Sequence, residues 1–214
     1  MNEEIYQKIT QKKEFSELPR IDVEKAFAKF EKRQTSDEDK MKLTRDLLRK
    51  TFSGFAGQKM LNWKNKTTDE ILQKHLSTRE RFENYFEIYT RLLKNLPKKV
   101  SIIDLGCGVN GVNYNLFEKV GKQVDYFGVE SVGQLIDLTN AFFETNKIKN
   151  AIVINESLFN LEKIKKLILQ TKKPRVVFML KVVDALESLE RDYTKSFLKE
   201  VVPLVDRVIV SFAT

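Results

Sequence analysis

From residue 100 onward the chain alternates short β-rich runs with helical stretches, and that alternation constrains its fold more than any other feature. Val100–Leu105, Val124–Glu130, Ala151–Asn155, Arg175–Leu180 and Arg207–Phe212 are the β-rich runs. Stretches of helical periodicity near 112–120, 132–146, 158–170 and 187–201 separate them. Strands that alternate with helices pair in parallel, because each crossover helix returns the chain to the end of the sheet from which the previous strand set out. Val176–Leu180 and Val208–Val210 are apolar without interruption, as suits strands covered on both faces. The reading is therefore an α/β, Rossmann-like, doubly wound parallel sheet.

Residues 1–66 read differently. Val23, Ala26, Phe27 and Phe30 recur at helical spacing, as do Leu43, Leu47 and Leu48. Thr35-x-x-Glu38 has the form of a capping box for a helix running to about Phe52, and Ser53–Gly57 breaks it. Thr67-x-x-Glu70 has the same form, and Ser77-x-x-Glu80 offers a further helix start after a kink. Phe82, Tyr85, Phe86, Tyr89, Leu92 and Leu93 form an apolar stripe that stops before Pro97. The expected division is a basic helical subdomain over 1–66 and a core over 67–214.

The first strand runs into Asp104-Leu-Gly106-Cys-Gly108. Glycines there let a ligand approach the backbone at the carboxyl ends of the strands. With Gly111 the spacing is also that of a dinucleotide fingerprint. Asp104, two residues before the first glycine, and the polar Asn110 and Asn113 favour S-adenosylmethionine over NAD. Glu130 ends the second strand 22 positions after Gly108. A carboxylate there, followed by Ser131, suits the ribose hydroxyls of either nucleoside ligand. An oxidoreductase that uses NAD thus stays open on the glycines alone.

Upstream, the ten residues from Leu72 to Arg81 read Leu-Gln-Lys-His-Leu-Ser-Thr-Arg-Glu-Arg. Together with the strand and glycine turn, this helix resembles that of the 16S ribosomal RNA guanine-N7 methyltransferases of the aminoglycoside-resistance type. The similarity covers roughly residues 55–214, and the His-x-Ser-Thr-Arg-Glu-Arg element is its specific part. Phe178–Glu187 is similar to that family's fourth strand, lysine and following loop, with Val183-Asp184-Ala185 where the family carries a Leu-Pro-Cys type of sequence. Val208–Thr214 is similar to its fifth strand, with Ala213 in place of proline.

The resemblance implies a class I methyltransferase fold with S-adenosyl-L-methionine as cofactor. It assigns the methionine carboxylate to Arg81, with Arg79 second, since an arginine fork pairs naturally with a carboxylate. It places Asp104 near the amino-acid end, and Glu156, Ser157 and Leu158 beside the adenine. Lys181 is the candidate contact to the incoming base or a phosphate. Guanine N7 carries a lone pair and no proton, so no general base is needed and no catalytic role goes to His75. Trp63 and Phe55 are read as packing between helices.

Residues 1–100 carry 23 Lys and Arg against 16 Asp and Glu, and the remaining 114 carry 15 against 14. A basic excess gathered in the N-terminal half suits a phosphate backbone. Ribosomal RNA, or the small subunit, is the expected partner, and the core from about residue 67 is expected to hold the cofactor by itself. A non-catalytic RNA-binding protein on the same fold is the alternative. One cysteine rules out intrachain disulfides, and one histidine argues against a Cys/His zinc site. No apolar run reaches the roughly 18 residues of a membrane span, and the N-terminus lacks a secretory pattern. A cytoplasmic enzyme is expected. The sequence ends at the fifth strand where this fold usually continues, so a shortened form of a longer chain is expected as well.

Overall fold

The computed structural model describes residues 1–52, 67–74 and 76–212. Three helices open the chain: α1 (Glu3–Thr10), α2 (Arg20–Glu31) and α3 (Asp37–Phe52). α1 starts where the Asn2 side chain accepts the Ile5 backbone N–H at 2.9 Å. α4 (Thr68–Lys74) and α5 (Leu76–Arg79) follow, then a 3₁₀ turn over Phe82–Asn84 and α6 (Tyr85–Leu92). After β1 (Lys99–Leu105) come α7 (Asn115–Lys119), β2 (Gln123–Glu130), α8 (Gly133–Thr145), β3 (Ala151–Asn155) and α9 (Leu161–Gln170). The chain closes with β4 (Arg175–Leu180), α10 (Val183–Leu189), α11 (Tyr193–Val201) and β5 (Arg207–Ser211).

All five strands are parallel, in the order β3-β2-β1-β4-β5. The chain moves outward from β1 to β3 and then returns to the other side of β1, which puts a topological switch point between β1 and β4. Val176 to Met179 are all 0% exposed, so β4 is covered on both faces as its apolar run requires. The Val208–Val210 run is only partly buried, contrary to expectation. β5 has β4 on one side and, among the described residues, no strand on the other.

Local signals fared unevenly. The Thr67 box forms as read: Thr67 N–H donates to Glu70 at 2.8 Å and Glu70 N–H to the Thr67 hydroxyl at 3.3 Å. The first box is shifted by one residue. Ser36, not Thr35, accepts the Asp39 N–H at 3.1 Å, while the Thr35 hydroxyl donates to the Asp39 carboxylate. Ser77 lies inside α5 rather than capping a new helix, and the next α-helix begins only at Tyr85. Phe86 leaves the expected stripe at 57% exposure, whereas Tyr85, Tyr89 and Leu93 are buried. Residues 53–57, read as a break, and His75, Trp63 and Phe55 lie outside the described residues.

Buried side chains of the N-terminal segment, Phe15 between α1 and α2 and Ile9, Val23, Phe27 and Leu48 on the helices, are continuous with the core of the sheet. Polar ties fix the same contact. Gln134 donates to the Lys13 carbonyl at 2.9 Å, and Asn155 to the Glu17 carbonyl at 3.1 Å. The Thr51 and Ser188 hydroxyls meet at 3.0 Å, and Lys25 pairs with Glu190. The N-terminal helices are thus seated over the carboxyl ends of β2, β3 and β4, on the same side as the glycine turn.

Candidate cofactor site

A cleft of about 660 Å³, its open mouth included, sits at the switch point. Gly106 and Gly108 line it from the turn after β1, Val129 to Val132 from the end of β2 and the turn after it, and Glu156, Leu158 and Phe159 from the segment after β3. Leu180 enters from the end of β4, Lys181 and Val182 from the turn after it, and Leu186 and Leu189 from α10. Seven of the residues singled out from sequence therefore come together: Gly106, Gly108, Glu130, Ser131, Glu156, Leu158 and Lys181. The literal third glycine of the fingerprint does not join them. A Cβ on Gly111 would meet Phe143 and Thr139 of α8 at 2.8 Å, so this glycine serves close packing.

Glu130 organises the turns around it. Its Oε2 accepts the Gly108 N–H at 2.8 Å, and its Oε1 accepts those of Ser131 and Val132 at 3.0 Å each. A carboxylate offers about four lone-pair positions, so three are used and one on Oε2 remains. Burial pushes the Glu130 carboxyl above its ordinary value, and the three N–H donors and the nearby Asp22 charge act in opposite senses on it.

Asp104 and Ser157 stand just behind the wall. Asp104 is 1% exposed. Its Oδ2 accepts from Asn110 Nδ2 at 2.7 Å and from the Tyr126 hydroxyl at 2.8 Å. Asn110 in turn accepts the hydroxyls of Tyr89 at 3.1 Å and Tyr85 at 3.3 Å. The two asparagines noted for polarity thus differ in use, with Asn110 the hub of a buried network beneath the glycine turn. Burial raises the Asp104 carboxyl, and Asn110, Tyr126 and the Arg81 charge oppose that shift.

The two arginines separate clearly. Arg79 is exposed, whereas Arg81 is half-buried with its guanidinium 5.6 Å from the Tyr85 ring centre. Neither is among the described residues lining the cleft. Between them Glu80 pairs with Lys181, which sits at the end of β4 with φ of 62°. A left-handed lysine is a strained arrangement held by its surroundings. Its N–H is fixed by the Ser211 carbonyl at 3.0 Å and hydroxyl at 3.1 Å.

Three lining residues come from a region that the sequence reading had kept apart from the cofactor: Asp22, Thr51 and Phe52, from α2 and α3. The cleft is therefore not the work of the region after residue 66 alone, as the sequence reading had it. Asp22 is 1% exposed, and it accepts the hydroxyls of Ser131, at 2.8 Å, and Ser157. Burial pushes its carboxyl up to about 6, opposed by the two serines and by Lys25. One signal was available. Asp22 falls on the same helical stripe as Val23, Ala26 and Phe27, and an acid on an apolar stripe needs a buried partner.

The parallel order, the glycine turn and a cleft at the β1/β4 switch with Glu130 closing β2 define a class I methyltransferase fold. More narrowly, the chain belongs to the ribosomal RNA methyltransferase (FmrO) family, whose model matches residues 47–214. A curated relative, the 16S rRNA (guanine(1405)-N(7))-methyltransferase of Proteus mirabilis, is 27% identical over 94 residues, 44% of this chain and 34% of that protein. The match thus spans about a third of the relative's length. Among solved structures, the 16S rRNA methyltransferase RmtF in complex with S-adenosyl-L-homocysteine is similar with TM-score 0.76 at 17% identity, covering 99% of this chain and 82% of that one. The 16S rRNA methylase RmtB gives 0.75 at 17% identity, over 99% and 83%. An rRNA methylase from Escherichia coli gives the same values. Likeness at this identity establishes the shared fold. Among the described residues no helix is long and apolar enough to cross a membrane, and no cluster of His, Cys, Asp and Glu is placed to hold a metal.

Proposed function

We propose that this chain is an S-adenosylmethionine-dependent methyltransferase acting at N7 of a guanine in the decoding region of small-subunit ribosomal RNA, in the cytoplasm. The observation that carries the reading is the convergence of Gly108, Glu130, Ser131, Glu156 and Leu158 on one cleft at the switch point, in a chain of the FmrO family. The residues fit the cofactor chemically. Glu130 keeps one acceptor position beside the Gly108 backbone, suited to a ribose hydroxyl. Leu135, Leu158 and Phe159 give apolar walls for a purine, with Glu156 at their edge. Arg81 rather than Arg79 is assigned the methionine carboxylate, because its half-buried charge already acts on Asp104. Asp104 holds the glycine turn from behind through Asn110. Ser157 keeps the Leu158 segment in place by accepting the Phe159 N–H at 3.0 Å.

Bound S-adenosylmethionine supplies an electrophilic methyl group on sulfur. The chain's own task is alignment, because guanine N7 presents its lone pair without deprotonation. Lys181 is assigned to the incoming base or a neighbouring phosphate, with Glu80 as its partner until RNA arrives. Residues 1–66 are assigned to RNA binding and 67–214 to methyl transfer, with α2 and α3 serving both by walling the cleft. Exposed cations on the first three helices and the turns that join them, including Lys12, Lys13, Lys29, Lys32, Lys42 and Lys50, suit contacts to phosphates.

The test is transfer of labelled methyl groups to isolated 30S subunits, with the modified base mapped. N7-methylguanine in the decoding region is the expected result. Binding of S-adenosylhomocysteine without transfer to 30S subunits would leave an RNA-binding protein, and failure to bind it would overturn the reading entirely.

A further inference from the structure

We propose that Asp22 of α2 is a positioning residue of the cofactor site, which fixes the segments after β2 and β3 around the adenosine end of the cofactor. The inference rests on the cofactor reading above and goes beyond it, since neither the glycine turn nor the β2 acid calls for a residue from the N-terminal helices.

Asp22 touches both serines that follow the two strand-end acids. Ser131 comes directly after Glu130, and Ser157 directly after Glu156. The Ser131 hydroxyl donates to Asp22 Oδ2 at 2.8 Å, and the Ser157 hydroxyl donates to Oδ1. Each serine also belongs to the wall. Ser131 N–H donates to Glu130 at 3.0 Å, and the Ser157 hydroxyl accepts the Phe159 N–H at 3.0 Å. One carboxylate therefore sets the Glu130–Val132 turn and the Ser157–Phe159 turn at once, from an element far away in sequence.

Its setting has no room for a loose side chain. Asp22 is 1% exposed, Ser131 8% and Ser157 0%. The charges facing it are Lys25 on its own helix, Glu130 at the end of β2 and Glu156 after β3. With two acids and one lysine around it, the carboxylate depends on the two hydroxyl donors. Both serines then have their hydroxyl hydrogens committed to Asp22, which leaves the oxygen of Ser131, a lining residue of the cleft, as an acceptor. Charged hydrogen bonds of this kind are about twice as strong as neutral ones. Losing them frees two turns that the ligand would have to order on binding.

The experiment measures affinity for S-adenosylhomocysteine and for adenosine alone by calorimetry on the full chain. Asp22→Ala should weaken both ligands by the same factor, about ten-fold or more, because the adenosine end is the part affected. Asp22→Asn, which can accept only one of the two hydroxyls, should fall between. Asp22→Ala combined with Ser157→Ala should cost less than the product of the two separate losses. Gln134→Ala removes another tie to the N-terminal segment through a side chain that does not line the cleft, and should leave affinity unchanged. Should wild type bind S-adenosylhomocysteine while Asp22→Ala and Asp22→Asn bind equally well, the Asp22 proposal falls and the cofactor reading stands. A ten-fold loss for Gln134→Ala as well would make Asp22 one of many docking contacts and overturn its positioning role. If wild type binds neither ligand, both readings fall.

Discussion

Replacing Asn110 with alanine removes the hub of the network beneath the glycine turn. The side chain donates to Asp104 at 2.7 Å and accepts from Tyr89 at 3.1 Å and Tyr85 at 3.3 Å. Asn110 is 3% exposed, and Tyr89 and Tyr85 are 0% and 4%, so water does not take over at the surface. Alanine strands two phenol donors and one bond to a buried carboxylate. Stranding a buried polar group costs about 1–3 kcal/mol. Asp104 keeps the Tyr126 hydroxyl at 2.8 Å, and the longer Tyr85 bond is the weaker of the pair, so their shares lie at the low end. A water entering the vacated space would recover some of the rest. The net expectation is a loss of about 3 kcal/mol, or roughly 6–12 °C in Tm for a chain of this size. Chemical and thermal denaturation of wild type, Asn110→Ala, Tyr89→Phe and the double variant would measure it. Tyr89→Phe removes one of the donors that Asn110→Ala strands, so the double variant should cost less than the sum. A loss under about 1 kcal/mol, or strict additivity, would show that these hydrogen bonds do not act as a unit.

Asp22 makes stability depend on pH in an unusual direction. Its folded value of about 6 lies above the reference of 3.8, so the folded state holds the proton more tightly. The stabilisation is complete below about pH 4 and lost as pH rises through 6, about 3 kcal/mol in all. Asp22→Asn, neutral throughout, should gain on wild type by that order between pH 4 and 7, and parallel denaturation curves would refute the burial argument. Gly106→Ala should cost more than Gly121→Ala. Both have positive φ, +69° and +77°, but a Cβ on Gly106 would meet Val182 at 2.4 Å while one on Gly121 meets nothing within 4 Å. The left-handed strain common to both is about 1–2 kcal/mol, and equal melting shifts would remove the close-approach claim. For the methionine end, Arg81→Ala should weaken S-adenosylhomocysteine binding by at least ten-fold, with Arg79→Ala near wild type. The reverse order would move the carboxylate to the exposed face of α5. Affinity for 30S subunits should fall steeply with added salt, and a flat response would exclude the phosphate contacts assigned to the first three helices.

The sheet was legible because its signals are local and repeated. Strand bounds from the β-rich runs match the observed ones within one residue. Hydrophobic period separates strand from helix, and the switch-point cleft follows from parallel order alone. Helix starts were less secure where several residues qualify. Thr35-Ser36-Asp37-Glu38-Asp39 offers two hydroxyls and three acids, and a shift of one residue satisfies the same donors. Ser77 failed for another reason, because a hydroxyl followed three residues later by an acid also occurs inside helices. What could not be read locally was the N-terminal wall of the cleft. Asp22 meets Ser157 at a separation of 135 residues, and no pattern within α2 names that partner. The buried position of an acid could be inferred from its helix face; what it binds could not.

The way the cleft is walled also sets the order in which it is completed. α2 and α3 leave the ribosome well before their partners: Ser157 at 135 residues from Asp22, Ser188 at 137 from Thr51, and Glu190 at 165 from Lys25. At ordinary rates of synthesis the apolar stripe of α2 waits on the order of 10 s for the surface that will cover it. Contacts of such long sequence separation close late, after the local pairing of β1 with β2 and β3. Competence to hold a nucleoside is therefore acquired late, once α10 and Glu190 have been made. A chain released or cut before α10 would carry the glycine turn and its strand-end acids and still lack a closed cleft.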